Sequence, residues 1–206
     1  MNYEEYWNSH QKILTETDPL IESKAKIIRT AYQNISQPQI LDAGCGAGAL
    51  ICAYNAPQCQ ITAIDISKAA IDLLNDKLLD NVRAINAELE KKWELPDQHF
   101  DLIVSSEVIE HLINFPIYLQ EAYRVLKPGG KLILTTPYHG LLKNLLLCFF
   151  AFDKHFCNYK VGHIRFFTNK NLKHVVSQCG FRNIKFKGLG RFPFLSKSIV
   201  LTAEKC

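Results

Sequence analysis

The sequence predicts an α/β domain whose doubly wound sheet has about seven strands, mostly parallel, with an antiparallel C-terminal hairpin. Short apolar runs alternate with amphipathic stretches of helical period, which is the pattern of a parallel sheet covered by helices. A glycine-rich turn from Gly44 to Gly48 follows the first apolar run directly. The last two apolar runs are separated only by a loop, which favours antiparallel pairing at the sheet edge.

The predicted elements follow one another in a regular order along the chain. Apolar residues at helical spacing indicate a first helix within Pro19 to Ile35. Ser67 is expected to cap the helix after the second strand, and Gly180 to end the last helix. The PGG sequence at 128–130 indicates a turn before the fifth strand. The predicted strands are QILDA, ITAID, Val82 to Asn86, FDLIVSS, KLILTT, Asn183 to Lys187 and Ser198 to Ala203, and further helices are predicted at Ala70 to Leu78, Tyr118 to Leu126 and Thr168 to Cys179.

The composition predicts one ordinary globular domain, residues 1–206. Hydrophobic residues make up 48% of the chain and charged residues 21%, a balance typical of folded proteins. The net charge of +4 is small for a dedicated nucleic-acid binder, so no DNA partner is expected and RNA is less expected than a small molecule. The seven cysteines form no CxxC pair, which disfavours a zinc knuckle or a disulfide framework.

The sequence contains no predicted secretory signal and no predicted membrane span. The N-terminal segment MNYEEYWNSH is polar and acidic, unlike a signal peptide. The most apolar stretch, Leu141 to Phe152, contains Lys143 and Asn144 and is shorter than the roughly 20 residues that span a bilayer. We therefore expect a reducing, cytoplasmic location, with peripheral membrane contact through 141–152 as a further expectation.

The segment ILDAGCGAGA carries the strongest local signal for a ligand. Glycines after a strand permit positive φ angles and let a ligand approach the backbone closely. Asp65 ends the next strand about 20 residues later, where an acid can accept both hydroxyls of a ribose. The pattern predicts a cofactor that contains adenosine, and a purely structural turn is the alternative.

The acidic residue Asp42 favours a cationic cofactor over a dinucleotide. A nicotinamide enzyme needs a pyrophosphate site and room for a substrate domain, and 206 residues leave no second domain. A carboxylate beside the glycine turn suits a positively charged ligand, because opposite charges attract. S-adenosyl-L-methionine carries both an ammonium and a sulfonium group.

Four motifs then give a family resemblance. ILDAGCGAG, AIDIS, FDLIVSSEVIEHL and LKPGGKLILTTP, between Ile40 and Pro137, resemble the class I S-adenosylmethionine-dependent methyltransferases. The resemblance implies a Rossmann-like fold with a reversed last strand. Many relatives carry Asp where this chain has Asn86. The resemblance implies that the cofactor's methionine end lies at Asp42, Gly44, Cys45 and Gly46, its ribose and adenine at Asp65, Ile66, Ala87 and Glu88, and its methyl group opposite Ser105.

The segment EVIEHL supplies the candidate catalytic and metal-binding residues. Glu107, Glu110 and His111 have the i, i+3, i+4 spacing that places side chains on one face of a helical turn. With His163 they form a candidate Mg²⁺ or Mn²⁺ site. Alternatively, His111 or His163 acts as a general base on a substrate hydroxyl. A third alternative is that these residues only shape the pocket.

Two narrower families share these features. EVIEHL followed by an apolar segment resembles the ubiquinone-biosynthesis O-methyltransferases. EVIEHL with a later His163 and, five residues on, Thr168 resembles the metal-dependent small-RNA 3′-terminal 2′-O-methyltransferases. Small size and modest charge weigh against RNA.

Two further segments are predicted to border the site. Residues 137–167 form an apolar insert, which predicts either a lid or membrane-resting element for a lipid-like acceptor or a helix packed in the core. Residues 1–36 form a predicted helical lid region. The basic residues of the insert that could meet anionic head groups are Lys143, Lys154, His155 and Lys160. The N-terminal aromatic residues Tyr3, Tyr6 and Trp7 could close over the cofactor, and a disordered tail without a role is the alternative.

The sequence as a whole predicts an enzyme that methylates the hydroxyl of a small, apolar or lipid-like molecule of the quinone-precursor type. RNA 3′-terminal 2′-O-methylation is the alternative activity, and a non-enzymatic cofactor-binding module is the alternative class of protein. Methylation of carbon or nitrogen also remains open.

Overall fold

The structure, a computed structural model, describes residues 18–152, 164–190 and 195–206. Several residues of interest lie outside these ranges, so their predicted roles remain predictions. They are Tyr3, Tyr6, Trp7, Lys154, His155, Lys160 and His163.

The described chain contains helices and strands in the order that the sequence predicts. The helices are α1 (Ile21–Tyr32), α2 (Ala49–Tyr54), α3 (Lys68–Asn75), α4 (Phe115–Val125), α5 (Leu141–Phe150) and α6 (Asn169–Gln178). The strands are β1 (Gln39–Ala43), β2 (Gln60–Asp65), β3 (Val82–Asn86), β4 (Phe100–Ser106), β5 (Leu126–Pro137), β6 (Arg182–Leu189) and β7 (Ser198–Glu204). The Ser67 hydroxyl accepts a hydrogen bond from the Ala70 amide, which confirms the predicted N-cap.

The described strands form one seven-stranded sheet in the order β3-β2-β1-β4-β5-β7-β6. The first five strands of this order are parallel, and β7 is antiparallel to both β5 and β6. The predicted fold class, including the antiparallel C-terminal hairpin, is confirmed. The strand order reverses between β1 and β4, and in sheets of this kind ligands bind outside the carboxyl ends of the strands at that position.

The two faces of the sheet bury separate apolar clusters. Alternate residues of β1 show the division, because Leu41 packs in one cluster and Ile40 in the other. Helices α4 and α6 cover the first face, and α1 and α2 cover the second. The largest fully buried side chains include Tyr54, Tyr118, Phe100, Phe181, Ile28 and Ile51. Burial of each such side chain contributes about 1.5–3 kcal/mol.

The predicted turn at 128–130 lies within the extended segment of β5. Gly129 has φ +77°, and its amide donates to the Lys205 carbonyl (2.7 Å), while the Lys205 amide donates to the Gly130 carbonyl (2.9 Å). Pairing with the C-terminal residues therefore keeps the chain extended where the sequence alone suggests a break. The parallel register shifts between Phe100 and Leu102, opposite this segment.

The apolar insert places helix α5 on the surface. Phe149 and Phe150 are 80% and 83% exposed, whereas Lys143 is buried. The Lys143 ammonium donates to the carbonyls of Tyr138 (2.7 Å) and Ser196 (3.1 Å), which anchors the start of the helix. The core-packed alternative for this helix is therefore wrong. In the described residues, no helix is long and apolar enough to cross a membrane.

Candidate active site

The glycine turn after β1 adopts a backbone that larger residues would disturb. Gly44, Gly46 and Gly48 have φ angles of +83°, +51° and +74°. A Cβ atom on Gly44 would lie 2.4 Å from Val108 Cγ2, and one on Gly48 would lie 2.3 Å from Leu74 Cδ1. The conformation therefore favours glycine at all three positions, and at Gly44 the packing against Val108 does so as well.

Asp65, at the end of β2, holds this turn in place. Its Oδ2 accepts from the Gly46 amide (2.8 Å) and its Oδ1 from the Ser67 amide (2.9 Å). A carboxylate has about four lone-pair positions and can accept several hydrogen bonds at once. The Asp65 carboxylate can accept ribose hydroxyls while it braces the turn.

Asp42 is a buried acid beneath the turn. Its Oδ2 accepts a hydrogen bond from the Tyr54 hydroxyl (2.8 Å). Burial raises the pKa of Asp42 to about 7, and the nearby Asp65 carboxylate acts in the same direction, while the Tyr54 bond opposes them. A cationic group bound nearby would favour the ionised form of Asp42.

A cavity of about 280 Å³ opens beside the ends of β2 and β3, close to the lower limit of about 300 Å³ for small-molecule pockets. The Asn86 amide donates to the carbonyls of Asp65 (3.0 Å) and Ile66 (2.7 Å). Asn86 therefore fastens the two strand ends together, a role that the Asp of many relatives cannot fill. The lining residues include Ile64, Ile85, Ala87, Glu88, Lys91, Trp93 and Leu95.

These features fit S-adenosylmethionine. The turn has no room for a side chain at Gly44, a buried acid lies where a cationic ligand would gain from it, and the Asp65 carboxylate lies beside the turn at the end of β2. The cavity beside Ala87 and Glu88 extends the site in the direction that the family resemblance implies for adenine.

The two carboxylates of EVIEHL do not share a regular helical turn. A single 3₁₀ turn spans Ile109–His111, and Glu107 precedes it with φ +56°. A left-handed conformation costs about 1–2 kcal/mol for a residue with a Cβ. The Glu107 carboxylate is held by three donors to its Oε1, namely Lys24 Nζ (3.0 Å), Thr135 Oγ1 (2.8 Å) and Ser198 Oγ (2.7 Å).

Sequence reasoning missed Lys24. This residue of α1 is only 3% exposed, and its ammonium lies 2.9 Å from Asp18 Oδ2 and 3.0 Å from Glu107 Oε1. Buried ammonium groups are normally paired. The available signal was the helical spacing of Lys24 with Ile28 and Tyr32, which places a lysine on the buried face of α1.

Glu110 is buried and incompletely bonded. Its Oε2 accepts from the Thr136 hydroxyl (3.0 Å), whereas its buried Oε1 has no hydrogen-bond partner within the described residues. Burial raises the pKa of Glu110 to about 8, and Glu107 adds to the increase. His111 is half-buried, and its backbone amide donates to the Val108 carbonyl (2.9 Å).

The predicted Mg²⁺ or Mn²⁺ site stays a prediction. Among the described residues, no group of three or more His, Cys, Asp or Glu side chains could hold a metal ion, and the fourth predicted ligand, His163, is not among them. Ser105, predicted to face the reacting methyl, is fully buried and donates to the Ala43 carbonyl (2.9 Å). This bond joins β4 to β1.

The segment just after His163 packs on EVIEHL. The amides of Ile164 and Arg165 both donate to the Glu110 carbonyl, at 3.1 and 3.2 Å. The Arg165 guanidinium donates to the carbonyls of Leu112 and Ile113. The structure therefore brings the C-terminal end of the insert to EVIEHL, which follows the carboxyl end of β4.

The family is shown by comparison with known proteins. Residues 19–185, more than half of the chain, match the profile of a family described as "Methyltransferase domain". The fold and the motifs define the class, and the chain belongs to this methyltransferase family. It is a class I S-adenosylmethionine-dependent methyltransferase.

The curated relatives share about half of this chain. The mitochondrial ubiquinone biosynthesis O-methyltransferase of Rattus norvegicus is 34% identical over 108 residues, which are 50% of this chain and 31% of that protein. The ubiquinone biosynthesis O-methyltransferase of Rickettsia typhi is 31% identical over 115 residues, 53% of this chain and 45% of that protein. The chain thus spans a third to a half of the length of these relatives.

Solved structures of methyltransferases share the fold. A SAM-dependent methyltransferase from Aquifex aeolicus superposes with a TM-score of 0.69 at 19% identity, covering 93% of this chain and 96% of that one. Phosphoethanolamine N-methyltransferase 2 of Haemonchus contortus, in complex with S-adenosyl-L-methionine, gives 0.68 at 14% identity over 89% of this chain and 52% of that one. Identities this low show the fold alone.

We expect the affinity for S-adenosylhomocysteine to rise with pH. A bound ammonium group lowers the pKa of Asp42 below about 7, so binding under more acidic conditions must release a proton. Well below pH 7 the Kd should increase up to about tenfold for each unit of decrease in pH. Calorimetry between pH 5.5 and 8.0 measures this. Asp42→Asn should bind S-adenosylhomocysteine weakly and with a Kd that does not depend on pH. Asp72→Asn, a control at an exposed residue, should keep the pH dependence of the parent. A parent Kd that does not change with pH would contradict the assignment of Asp42 to the ammonium group.

The same acid should destabilise the cofactor-free protein at high pH. Its folded-state pKa of about 7 exceeds the usual value of about 3.9 in an unfolded chain, so the stability present below pH 4 is lost as the pH rises through 7. The full effect is on the order of 4 kcal/mol. Asp42→Asn should therefore raise the Tm at pH 8 and leave it nearly unchanged at pH 4, measured by thermal unfolding. A lower Tm for the variant at pH 8 would contradict this assignment.

Proposed function

We propose that the enzyme methylates the hydroxyl oxygen of a small, apolar or lipid-like acceptor of the quinone-precursor type. One observation carries the proposal: the surface helix α5 exposes a large apolar area immediately after β5, whose carboxyl end lies at the same sheet edge as the glycine turn. An exposed apolar patch of this kind is typical of a binding surface.

The apolar surface of α5 is extensive and fixed. Only Lys143 of this helix is buried, and its ammonium donates to backbone carbonyls of Tyr138 and Ser196, which lie beside β5 and β7. Because the anchor is at the start of the helix, the remaining side chains do not need to pack in the core. The exposed large apolar residues on or beside α5 are Leu141, Leu142, Leu145, Leu146, Phe149, Phe150 and Phe152.

The names of the curated relatives support an oxygen acceptor. Relatives at 30–36% identity are ubiquinone biosynthesis O-methyltransferases, whose name describes methylation of oxygen on a quinone precursor. The match covers half to two thirds of this chain, so the acceptor of this enzyme is inferred together with the apolar surface.

We assign different roles in methyl transfer to the residues at this edge of the sheet. S-adenosylmethionine supplies a sulfonium-bound methyl group: the S–CH₃ bond breaks with its electron pair left on sulfur, the O–CH₃ bond forms, and the hydroxyl proton is released. We assign the methionine end to Asp42, Gly44, Cys45 and Gly46, and the ribose and adenine to Asp65, Ile66, Ala87 and Glu88. His111, with His163, is the base that we propose for the hydroxyl proton.

An apolar acceptor places the enzyme at a membrane surface. The exposed Lys197 lies at the base of α5, because its own carbonyl is 3.5 Å from the Lys143 ammonium. Lysines near an anionic bilayer contribute about 1 kcal/mol each, in addition to the burial of aromatic side chains in the lipid. Helix α5 is therefore the proposed contact with the membrane.

We expect radiolabelled methyl transfer to a catechol with a long alkyl chain. The enzyme, tritiated S-adenosylmethionine and 4-dodecylcatechol should give the mono-O-methyl ether, identified by mass spectrometry. The dimethyl ether of the same catechol, which has no hydroxyl, is the matched control and should remain unlabelled. Transfer to small RNAs or to amines, with none to the catechol, would contradict the proposal.

We also expect α5 to bind anionic vesicles reversibly. Phe149→Glu with Phe150→Glu should weaken co-sedimentation with phosphatidylglycerol vesicles by more than about tenfold, since each buried Phe contributes about 1.5–3 kcal/mol and about 1.4 kcal/mol corresponds to tenfold. Salt should weaken parental binding as well. The Tm should not fall, because both side chains are exposed. Leu78→Glu, at an exposed apolar residue far from α5 in the sequence, is the control; equal binding by the double variant would remove α5 from the membrane contact.

A further inference from the structure

We propose that Glu107 is an acceptor-binding residue, whose carboxylate receives a hydrogen bond from the hydroxyl that is methylated, and that Lys24 is the residue that positions it. This inference rests on the proposed O-methylation and adds the groups that hold the acceptor oxygen.

The first support is the way in which Glu107 is held. Its three protein donors come from three different elements, with Lys24 on α1, Thr135 on β5 and Ser198 on β7, and all three contact Oε1. In the described part of the chain, no residue donates a hydrogen bond to Oε2. The carboxylate is therefore fixed through one oxygen, in a side chain that is 33% exposed.

The second support is the backbone of Glu107. Its left-handed conformation, φ +56°, is uncommon for a residue with a long side chain. Such conformations persist where surrounding structure determines them, and they concentrate at functional sites. Here the Glu107 amide also donates to the Thr135 carbonyl (3.0 Å), so the backbone and the carboxylate are both tied to β5.

The third support is the position of Glu107 beside the cofactor turn. A Cβ atom built on Gly44 would lie only 2.4 Å from Cγ2 of Val108, the residue that follows Glu107. Glu107 is therefore one residue away from the wall of the turn assigned to the methionine end of the cofactor. A hydroxyl held by Glu107 would lie at the sheet edge where the methyl donor binds.

The three donors to Oε1 hold Glu107 in one orientation, which suits an orienting group. A carboxylate paired with an ammonium group accepts charge-assisted hydrogen bonds. Methyl transfer depends chiefly on alignment of the oxygen with the reacting carbon, and small errors in position reduce the rate strongly. Proton removal is left to the proposed histidine base.

The experiment compares variants in the 4-dodecylcatechol assay, with S-adenosylhomocysteine affinity measured in parallel. In Glu107→Gln, the amide oxygen should take the place of Oε1, because it can still accept the three protein donors. The amide NH₂ group, which cannot accept a hydrogen bond, then takes the place of Oε2. We expect kcat/KM for the catechol to fall by about 100-fold, with S-adenosylhomocysteine affinity within about twofold of the parent. Lys24→Met should likewise lower kcat/KM for the catechol and leave S-adenosylhomocysteine affinity nearly unchanged. Lys24→Arg should have a higher kcat/KM than Lys24→Met.

Lys205→Met is the matched control for loss of a buried lysine. The Lys205 ammonium donates to the carbonyls of Tyr123 (2.7 Å) and Leu126 (2.8 Å) and has no contact with Glu107. Its removal should lower the Tm but leave kcat/KM nearly unchanged at a temperature at which the protein is folded. An equal loss of activity in Lys205→Met and Lys24→Met would assign Lys24 a purely structural role and overturn its part of the proposal.

The remaining outcomes of the assay distinguish a failure of the role proposed for Glu107 from a failure of the proposed O-methylation. An active parent with unimpaired Glu107→Gln overturns the inference alone. A parent that methylates no catechol overturns the proposed function and the inference with it. Loss of parental activity in excess EDTA, restored by Mg²⁺ or Mn²⁺, would make Glu107 a metal ligand and also overturn the inference.

Discussion

The parallel pairing of β1 with β2 and β4 is the constraint on which the rest of this structure depends. In parallel strands the carboxyl ends meet at one edge, so the residues that follow each strand become neighbours whatever their separation in sequence. Asp42 lies near the end of β1 and Gly44 follows that strand, Asp65 ends β2, and Glu107 follows β4. Without this alignment, the glycine turn would be an ordinary loop and the acidic residues would be scattered over the surface.

Ionisable groups are concentrated at that edge, and their burial opposes the stability of the empty protein. Asp42 and Glu110 both have pKa values raised by burial, which means that the folded protein favours their neutral forms. Lys24 and Glu107 are instead stabilised as a pair. A cationic cofactor would offset the cost of ionising the buried Asp42 carboxyl. Active sites are commonly less stable than the rest of the fold because their residues serve binding.

Helix α5 lies beyond the same edge of the sheet, and its surface is apolar rather than ionisable. Its apolar side chains face solvent, and its single buried side chain is a lysine, which reverses the usual distribution. The reversal has a physical explanation in the structure, because the Lys143 ammonium satisfies backbone carbonyls next to β7 and thereby fixes the helix. A polar anchor and an apolar exposed face together form the surface that we propose for a lipid-like acceptor.

The sequence by itself determined the sheet, its helices and the cofactor turn, because these depend on local patterns: strand-length apolar runs, glycines and an acid at a characteristic spacing. The tertiary structure alone decided which residues meet Glu107. Lys24, Thr135 and Ser198 are distant in sequence, and no local pattern couples a lysine of α1 to the end of β4. It also decided the shape of EVIEHL, whose left-handed Glu107 is fixed by contacts with β5 and β7 rather than by helical spacing. The sequence could not predict whether α5 is exposed, for the same reason. An apolar run is compatible with a core helix and with a surface helix until its tertiary contacts are known.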